Sequence, residues 1–119
     1  MLIDDDDVTN FYNKTILEQM NCCDEIIVFE EAVKALEFLK NEHDSINLIL
    51  LDVNMPIMNG WDFIEAYRLI PSDKKANIVM MMSSSANSKD RERAEKIDLI
   101  KKFINKPLTE EAIQEVMDL

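Results

Sequence analysis

Acidic residues come directly after two apolar runs of this sequence, where their carboxylates can bind a cation. Four aspartates, Asp4 to Asp7, follow MLI, and Asp52 follows LILL. Clustered carboxylates repel one another unless a cation neutralises them, and hard oxygen ligands suit Mg²⁺, which keeps several waters. Open positions on such an ion accept phosphate oxygens. Asp52 is then a candidate nucleophile, because a carboxylate can form an acyl phosphate.

A hydroxyl group and an ammonium group follow two further apolar runs. Ser83, Ser84 and Ser85 come after NIVMMM, and Lys106-Pro107 comes shortly after KKFI. The Ser83 hydroxyl can hydrogen-bond a phosphoryl oxygen, and Lys106 is a compact charge suited to a phosphoryl group or a neighbouring carboxylate. Each piece alone has a plainer interpretation: a solvated acidic run, a strand terminator, a turn or a loop. Their order along the chain favours the functional interpretation.

Spacing excludes two other kinds of site. An EF-hand loop counted from Asp4 needs glycine at its sixth position and glutamate at its twelfth, where this chain has Thr9 and Thr15. The chain has one glycine, Gly60, so a glycine-rich phosphate-binding loop is absent from the sequence.

Predicted strands and helices alternate along the chain. The strands are 1–3, 25–29, 46–53, 77–82 and 101–104, and the helices are 8–20, 30–43, 61–70, 88–97 and 109–119. This alternation indicates an α/β fold with a parallel sheet covered by helices on both faces. Ligands of such sheets lie outside the carboxyl ends of the strands. The carboxylates, the hydroxyl and the ammonium are therefore expected around one crevice.

Local patterns predict several details of these elements. Ser88 and Thr109 are candidate N-caps of the last two helices. Asp6 and Asp7 are expected in the loop before the first helix, which Asp7 can cap and whose dipole both complement. Trp61, directly after the glycine, is expected to be partly exposed near the site.

Length and composition indicate one domain spanning 1–119. Apolar residues make up 47% of the 119, which is a globular composition. The net charge of −11 argues against direct binding to nucleic acid or to an anionic membrane. No apolar run approaches the ~20 residues of a membrane span, and no signal peptide is visible. The adjacent cysteines, Cys22 and Cys23, favour a reducing compartment, so the cytoplasm is the expected location.

Together these residues resemble the receiver domain of two-component response regulators, over essentially the whole chain. The matching positions are the acidic pair Asp4-Asp5, the phospho-accepting aspartate Asp52 with Pro56 and Gly60 after it, the strand-end hydroxyl of Ser83, the pair Lys106-Pro107, and the aromatic Phe103. The resemblance implies a flavodoxin-like, doubly wound (βα)5 three-layer sandwich, with a five-stranded parallel sheet in the order 2-1-3-4-5.

The resemblance also implies a metal site. Asp5, Asp52 and the backbone carbonyl of Asn54 would ligate Mg²⁺, for which Mn²⁺ could substitute, and Asp4 would act through a bound water. The residues at Asn54 and Ser85 would tune how fast water removes the phosphoryl group.

A phosphorylation switch is implied as well. Asp52 would accept a phosphoryl group, which Ser83 and Lys106 would contact, and Ser83 and Phe103 would then shift together to alter the face of helix four, strand five and helix five. Serine replaces the more frequent threonine at position 83, with Ser84 as a weaker alternative. Phe103 lacks the hydroxyl of the more frequent tyrosine.

The implied partners are a sensor histidine kinase or a histidine phosphotransfer protein, and a downstream protein. The chain would be a regulatory module, with no output domain in this chain, that catalyses only its own phosphorylation and dephosphorylation. A phosphorylation-dependent homodimer is a candidate assembly. A constitutive interaction module and a Mg²⁺-dependent phosphatase are the alternatives. The intact acids, serine and lysine argue against the first, and Asn54, where a phosphatase needs an acid, argues against the second.

Overall fold

The computed structural model describes residues 1–85 and 87–118. Its strands are β1 (Leu2–Ile3), β2 (Val28–Phe29), β3 (Leu48–Asp52), β4 (Ile78–Ser83) and β5 (Ile100–Asn105). Its α-helices are α1 (Asp7–Met20), α2 (Ala32–Lys40), α3 (Gly60–Tyr67), α4 (Ser88–Glu95) and α5 (Glu110–Met117), and a 3₁₀ turn covers Ser72–Lys74. The predicted last helix extends to position 119, which lies outside the described residues.

The five strands form one parallel sheet in the order β2-β1-β3-β4-β5. Leu51 of β3 pairs with Ile3 of β1 on one side and with Met81 of β4 on the other. All strands therefore end at the same edge, which brings Asp4 and Asp52 side by side. The predicted flavodoxin-like fold and its strand order are confirmed.

Two apolar cores, one on each face of the sheet, hold the three layers together. One core contains Ile49, Leu51 and Met81 of the sheet, packed with buried residues of α2, α3 and α4. The other contains Leu50 and Met80, packed with buried residues of α1 and α5. Because side chains alternate along a strand, these continuously apolar strands supply both cores.

Several boundaries and caps differ from the prediction. Strand β2 is only two residues long. Asp6, and not Asp7, caps α1, because its carboxylate accepts from Val8 N at 3.0 Å while Asp7 is already helical. Asn87, and not Ser88, caps α4. The predicted Thr109 cap of α5 is present.

Trp61 is buried, at 7% exposure, so the expected partial exposure is wrong. Its neighbour Gly60 explains the difference. Gly60 N donates to Val53 O at 2.9 Å, and a Cβ at Gly60 would lie 2.6 Å from the carbonyl oxygen of Asp52. The start of α3 is therefore held against the end of β3, which places Trp61 in the core.

Candidate functional site

Three aspartates meet at the carboxyl edge of the sheet. One carboxylate oxygen from each of Asp4, Asp5 and Asp52 lies within 4.8 Å of the other two; Asp4 and Asp52 are buried and Asp5 is exposed. Asp4 and Asp5 directly follow β1, and Asp52 is the last residue of the neighbouring β3. Clustered oxygen donors with one exposed member fit a hard divalent cation that keeps part of its water shell.

Lys106 joins the two buried carboxylates. Its Nζ lies 2.7 Å from Asp4 Oδ2 and 3.1 Å from Asp52 Oδ1. The backbone N–H of Lys106 donates to the carbonyl oxygen of Ser83 at 2.8 Å, which fixes Lys106 beside the end of β4. Lys106 thus supplies a positive charge inside the acid cluster, where the low dielectric strengthens ion pairs.

The surroundings shift the protonation equilibria of this ion triad. Burial, and then the charge of Asp4, raise the pKa of Asp52 to about 6, against the opposing effect of Lys106. Burial works against the charge on Lys106, but the hydrogen bond and charge of Asp4, together with Asp52, outweigh it and raise the pKa of that ammonium. At neutral pH, Asp52 is therefore a carboxylate and Lys106 an ammonium.

Two hydrogen bonds orient Asp4. Its Oδ1 accepts from Asp6 N at 2.9 Å, and its backbone carbonyl accepts from Asn10 Nδ2 at 2.8 Å. Asn10 is buried, and its Oδ1 has no hydrogen-bond partner among residues 1–85 and 87–118. Sequence reasoning missed Asn10; the only available signal was a polar residue on the inward side of an amphipathic helix.

Ser83 is the last residue of β4 and is fully buried. Its Oγ accepts a hydrogen bond from Ser85 N at 3.0 Å. Ser84, the weaker candidate, is exposed. The strand register pairs Ser83 with Asn105, directly before Lys106, so the hydroxyl and the ammonium lie at the ends of adjacent strands.

Phe103 lies inside β5 and is buried in the same core as Trp61 and Met81. The guanidinium of Arg91 lies 5.2 Å from the centroid of its ring. Asn54 is exposed and lies two residues beyond Asp52. Sequence reasoning missed Arg91, because α4 shows only a polar pattern.

Comparison with known proteins agrees with this geometry. The family model for the response regulator receiver domain matches residues 1–118. The chain belongs to this family. A solved two-component response regulator from Cytophaga hutchinsonii is 32% identical, with a TM-score of 0.88 over 98% of this chain and 91% of that one.

Two curated relatives are plant two-component response regulators. One from Oryza sativa subsp. japonica is 34% identical over 83 residues, which are 70% of this chain and 66% of that protein. One from Arabidopsis thaliana is 34% identical over 85 residues, 70% of this chain and 21% of that protein. The matched segment of this chain thus covers less than two thirds of the length of each of these relatives. Receiver domains are regulatory modules of two-component signalling. Within the part of the chain that the structure describes, no helix is long and apolar enough to cross a membrane.

Proposed function

We propose that this receiver domain accepts a phosphoryl group on Asp52 from a histidine kinase or a histidine phosphotransfer protein, and that phosphorylation changes its contacts with a downstream protein. The observation that carries the proposal is that the carboxylate of Asp52 clusters with those of Asp4 and Asp5 and also contacts the ammonium of Lys106. Asp4, Asp5 and Asp52 together offer the oxygen ligands of a Mg²⁺ site.

In the proposed reaction, a carboxylate oxygen of Asp52 attacks the phosphorus of a phosphohistidine. The new P–O bond forms as the P–N bond breaks, and the leaving imidazole takes a proton from solvent. Asp52 must be ionised to attack, and its pKa of about 6 leaves it ionised at neutral pH. Bound Mg²⁺ would neutralise charge on the transferring group.

Lys106 and Ser83 would contact the phosphoryl group on Asp52. The ammonium of Lys106 is 3.1 Å from Asp52 Oδ1, so it can pair with a phosphoryl oxygen attached there. The Ser83 hydroxyl, now engaged with Ser85 N, would donate to another phosphoryl oxygen after a rotation about its Cα–Cβ bond.

Exposed apolar side chains that follow the clustered aspartates in the chain suit a docking partner. Val8 and Phe11 on the first turns of α1 are 70% and 74% exposed, and Ile57 in the loop after β3 is 94% exposed. They follow Asp5 and Asp52 closely in the chain, so a partner helix that carries the phosphohistidine can cover them as it reaches Asp52.

The test is to incubate the protein with Mg²⁺ and a small phosphodonor such as acetyl phosphate, and to measure acid-stable, base-labile label. The wild type should be labelled, Asp52→Asn should not, and Asp62→Asn, an exposed helix-cap acid, should be labelled like the wild type. Labelling that survives in Asp52→Asn would assign the acceptor elsewhere.

A further inference from the structure

Helix α4 has only one small apolar anchor. Ala94 is the one buried residue among its eight, all of which the structure describes. Helices on a sheet are usually held by an apolar stripe, so other contacts must place α4. Two arginines make them: Arg93 lies 4.5 Å from the ring centroid of Trp61 on α3, and Arg91 reaches β5.

Arg91 contacts β5 at two points. Nη1 donates to the carbonyl oxygen of Phe103 at 3.1 Å, and Nη2 donates to Asn105 Oδ1 at 3.0 Å. The same guanidinium lies 5.2 Å from the centroid of the Phe103 ring. A planar guanidinium is suited to such a fork, which lysine cannot reproduce.

Asn105 extends this contact to the loop after β4. Its Nδ2 donates to Ser85 O at 2.6 Å, while Ser85 N donates to the Ser83 hydroxyl at 3.0 Å. Asn105 also directly precedes Lys106. The side chains of Arg91 and Asn105, with the backbone of Ser85, form what we term the α4 clasp, and it ends one hydrogen bond from Ser83.

We propose that the α4 clasp holds the backbone of Ser85 in its unphosphorylated position and thereby sets how readily the domain switches. The proposal rests on the proposed function, in which Ser83 turns to a phosphoryl group on Asp52. That turn removes the hydrogen-bond acceptor of the Ser85 N–H. The backbone of Ser85 can then follow Ser83 only if the hydrogen bond from Asn105 Nδ2 to Ser85 O breaks. Arg91 then loses one of its two hydrogen-bond acceptors on β5, which weakens the attachment of α4 to that strand.

The exposure of the clasp suits this role. Both Arg91 and Asn105 are exposed residues, so water can replace each hydrogen bond as it breaks. The contact is specific in geometry but inexpensive to open, and a switch requires that combination. A clasp that forms only in the unphosphorylated state makes phosphorylation, or binding of a phosphoryl mimic, less favourable. The free energy of the clasp contacts sets the size of this effect.

The experiment is a titration of the Mg²⁺-loaded protein with beryllofluoride, a phosphoryl mimic, followed by the fluorescence of Trp61, the single tryptophan. Arg91→Ala and Asn105→Ala should each bind the mimic roughly fivefold more tightly than the wild type, at the low end of typical coupling between sites. The double variant should gain no more than either single variant, because both break one unit. Arg91→Lys should behave as Arg91→Ala, and Lys89→Ala, which removes an exposed charge from the same helix, should bind as the wild type does.

A second readout separates switching from a general structural effect. In ¹H–¹⁵N spectra without the mimic, the Ser85 amide of Arg91→Ala should move part of the way toward its mimic-bound position. Unchanged affinity in Arg91→Ala and Asn105→Ala, or weaker binding, overturns the clasp while leaving the phosphorylation proposal intact. If the wild type does not bind the mimic at all, both proposals fail. Circular dichroism identifies any variant that does not fold, and Asn105→Ala, an exposed substitution, then carries the test alone.

Discussion

Lys106 Nζ lies 2.7 Å from Asp4 Oδ2, although 102 residues separate the two in the sequence. The pair joins the residue that follows β1 to the loop after β5, and it lies beside Asp52. The side chain of Asp4 is 1% exposed and that of Lys106 is 18% exposed. Removal of the ammonium therefore leaves buried carboxylates without a counter-charge.

The first prediction concerns this ammonium. Lys106→Met should lower the free energy of unfolding by about 2 kcal/mol in metal-free buffer, less than for a fully buried pair because water reaches Lys106. Urea unfolding in the presence of a chelator measures the change, with the exposed Lys101→Met as the matched control. Millimolar Mg²⁺ should then raise the melting temperature of Lys106→Met by more than that of the wild type, since the ion replaces the lost charge. Equal shifts, or none in either protein, would argue against a cation site at these aspartates.

The second prediction concerns pH. The folded-state pKa of Asp52, about 6, lies above that of an exposed aspartate, so the folded chain binds a proton that the unfolded chain has released. The contribution of Asp52 to stability therefore falls as pH rises from about 4 to about 6, opposite to the usual behaviour of a paired aspartate. Without metal, Asp52→Asn should stabilise the protein by about 1–2 kcal/mol at pH 7, after allowance for partial screening.

The same stabilisation should disappear near pH 4, where both forms of residue 52 are neutral. Thermal unfolding of the two proteins across this pH range measures the difference. A gain that is constant from pH 4 to pH 7 would contradict the raised pKa of Asp52 and would indicate a packing effect of the amide.

The third prediction concerns Gly60. A methyl group there would meet the carbonyl oxygen of Asp52 at 2.6 Å and the Cα of Val53 at 3.0 Å, and both are backbone atoms that cannot rotate away. Gly60→Ala should therefore destabilise the protein by about 2–3 kcal/mol, as overpacked core sites do. Glu110→Ala, at the first position of α5, is the matched control and should have a small effect. A wild-type urea midpoint for Gly60→Ala would show that α3 does not depend on this close approach.

The fourth prediction separates two aspartates of the opening run. Asp6 accepts from Val8 N and from the Thr9 hydroxyl, each at 3.0 Å, whereas Asp7 is the first helical residue. Asp6→Ala should lower the melting temperature at pH 7 by more than Asp7→Ala. The Thr9 and Val8 hydrogen bonds lower the pKa of Asp6. Its stabilising effect is thus present above the unfolded-state pKa and is lost as pH falls through the lower folded-state value. The reverse ranking of the two variants would overturn the cap assignment.

The sequence was sufficient to predict the parts of the fold that apolar runs determine. Strands β3 and β4 are long and apolar, so the sequence alone locates their ends, and with them Asp52 and Ser83. Parallel strands end at one edge, and this placed the acids, the serine and the lysine together.

The remaining features depend on contacts between segments far apart in the chain. A run of four aspartates does not reveal which one caps α1, because the start of the helix depends on the hydrogen bond from Asp6 N to the side chain of Asp4. Trp61 is buried because Gly60 touches the backbone of β3, which no local pattern displays. Arg91 looks like any other residue of a polar helix until β5 supplies the two acceptors that it binds.

The most direct test of the central claim locates the phosphoryl group among the three clustered aspartates. The protein is phosphorylated with Mg²⁺ and a small phosphodonor, reduced with borohydride so that an aspartyl phosphate becomes homoserine, and mapped by mass spectrometry. We predict homoserine at position 52 and aspartate at positions 4 and 5. Homoserine at position 4 or 5, or none at all under conditions that label a known receiver domain, would contradict the account.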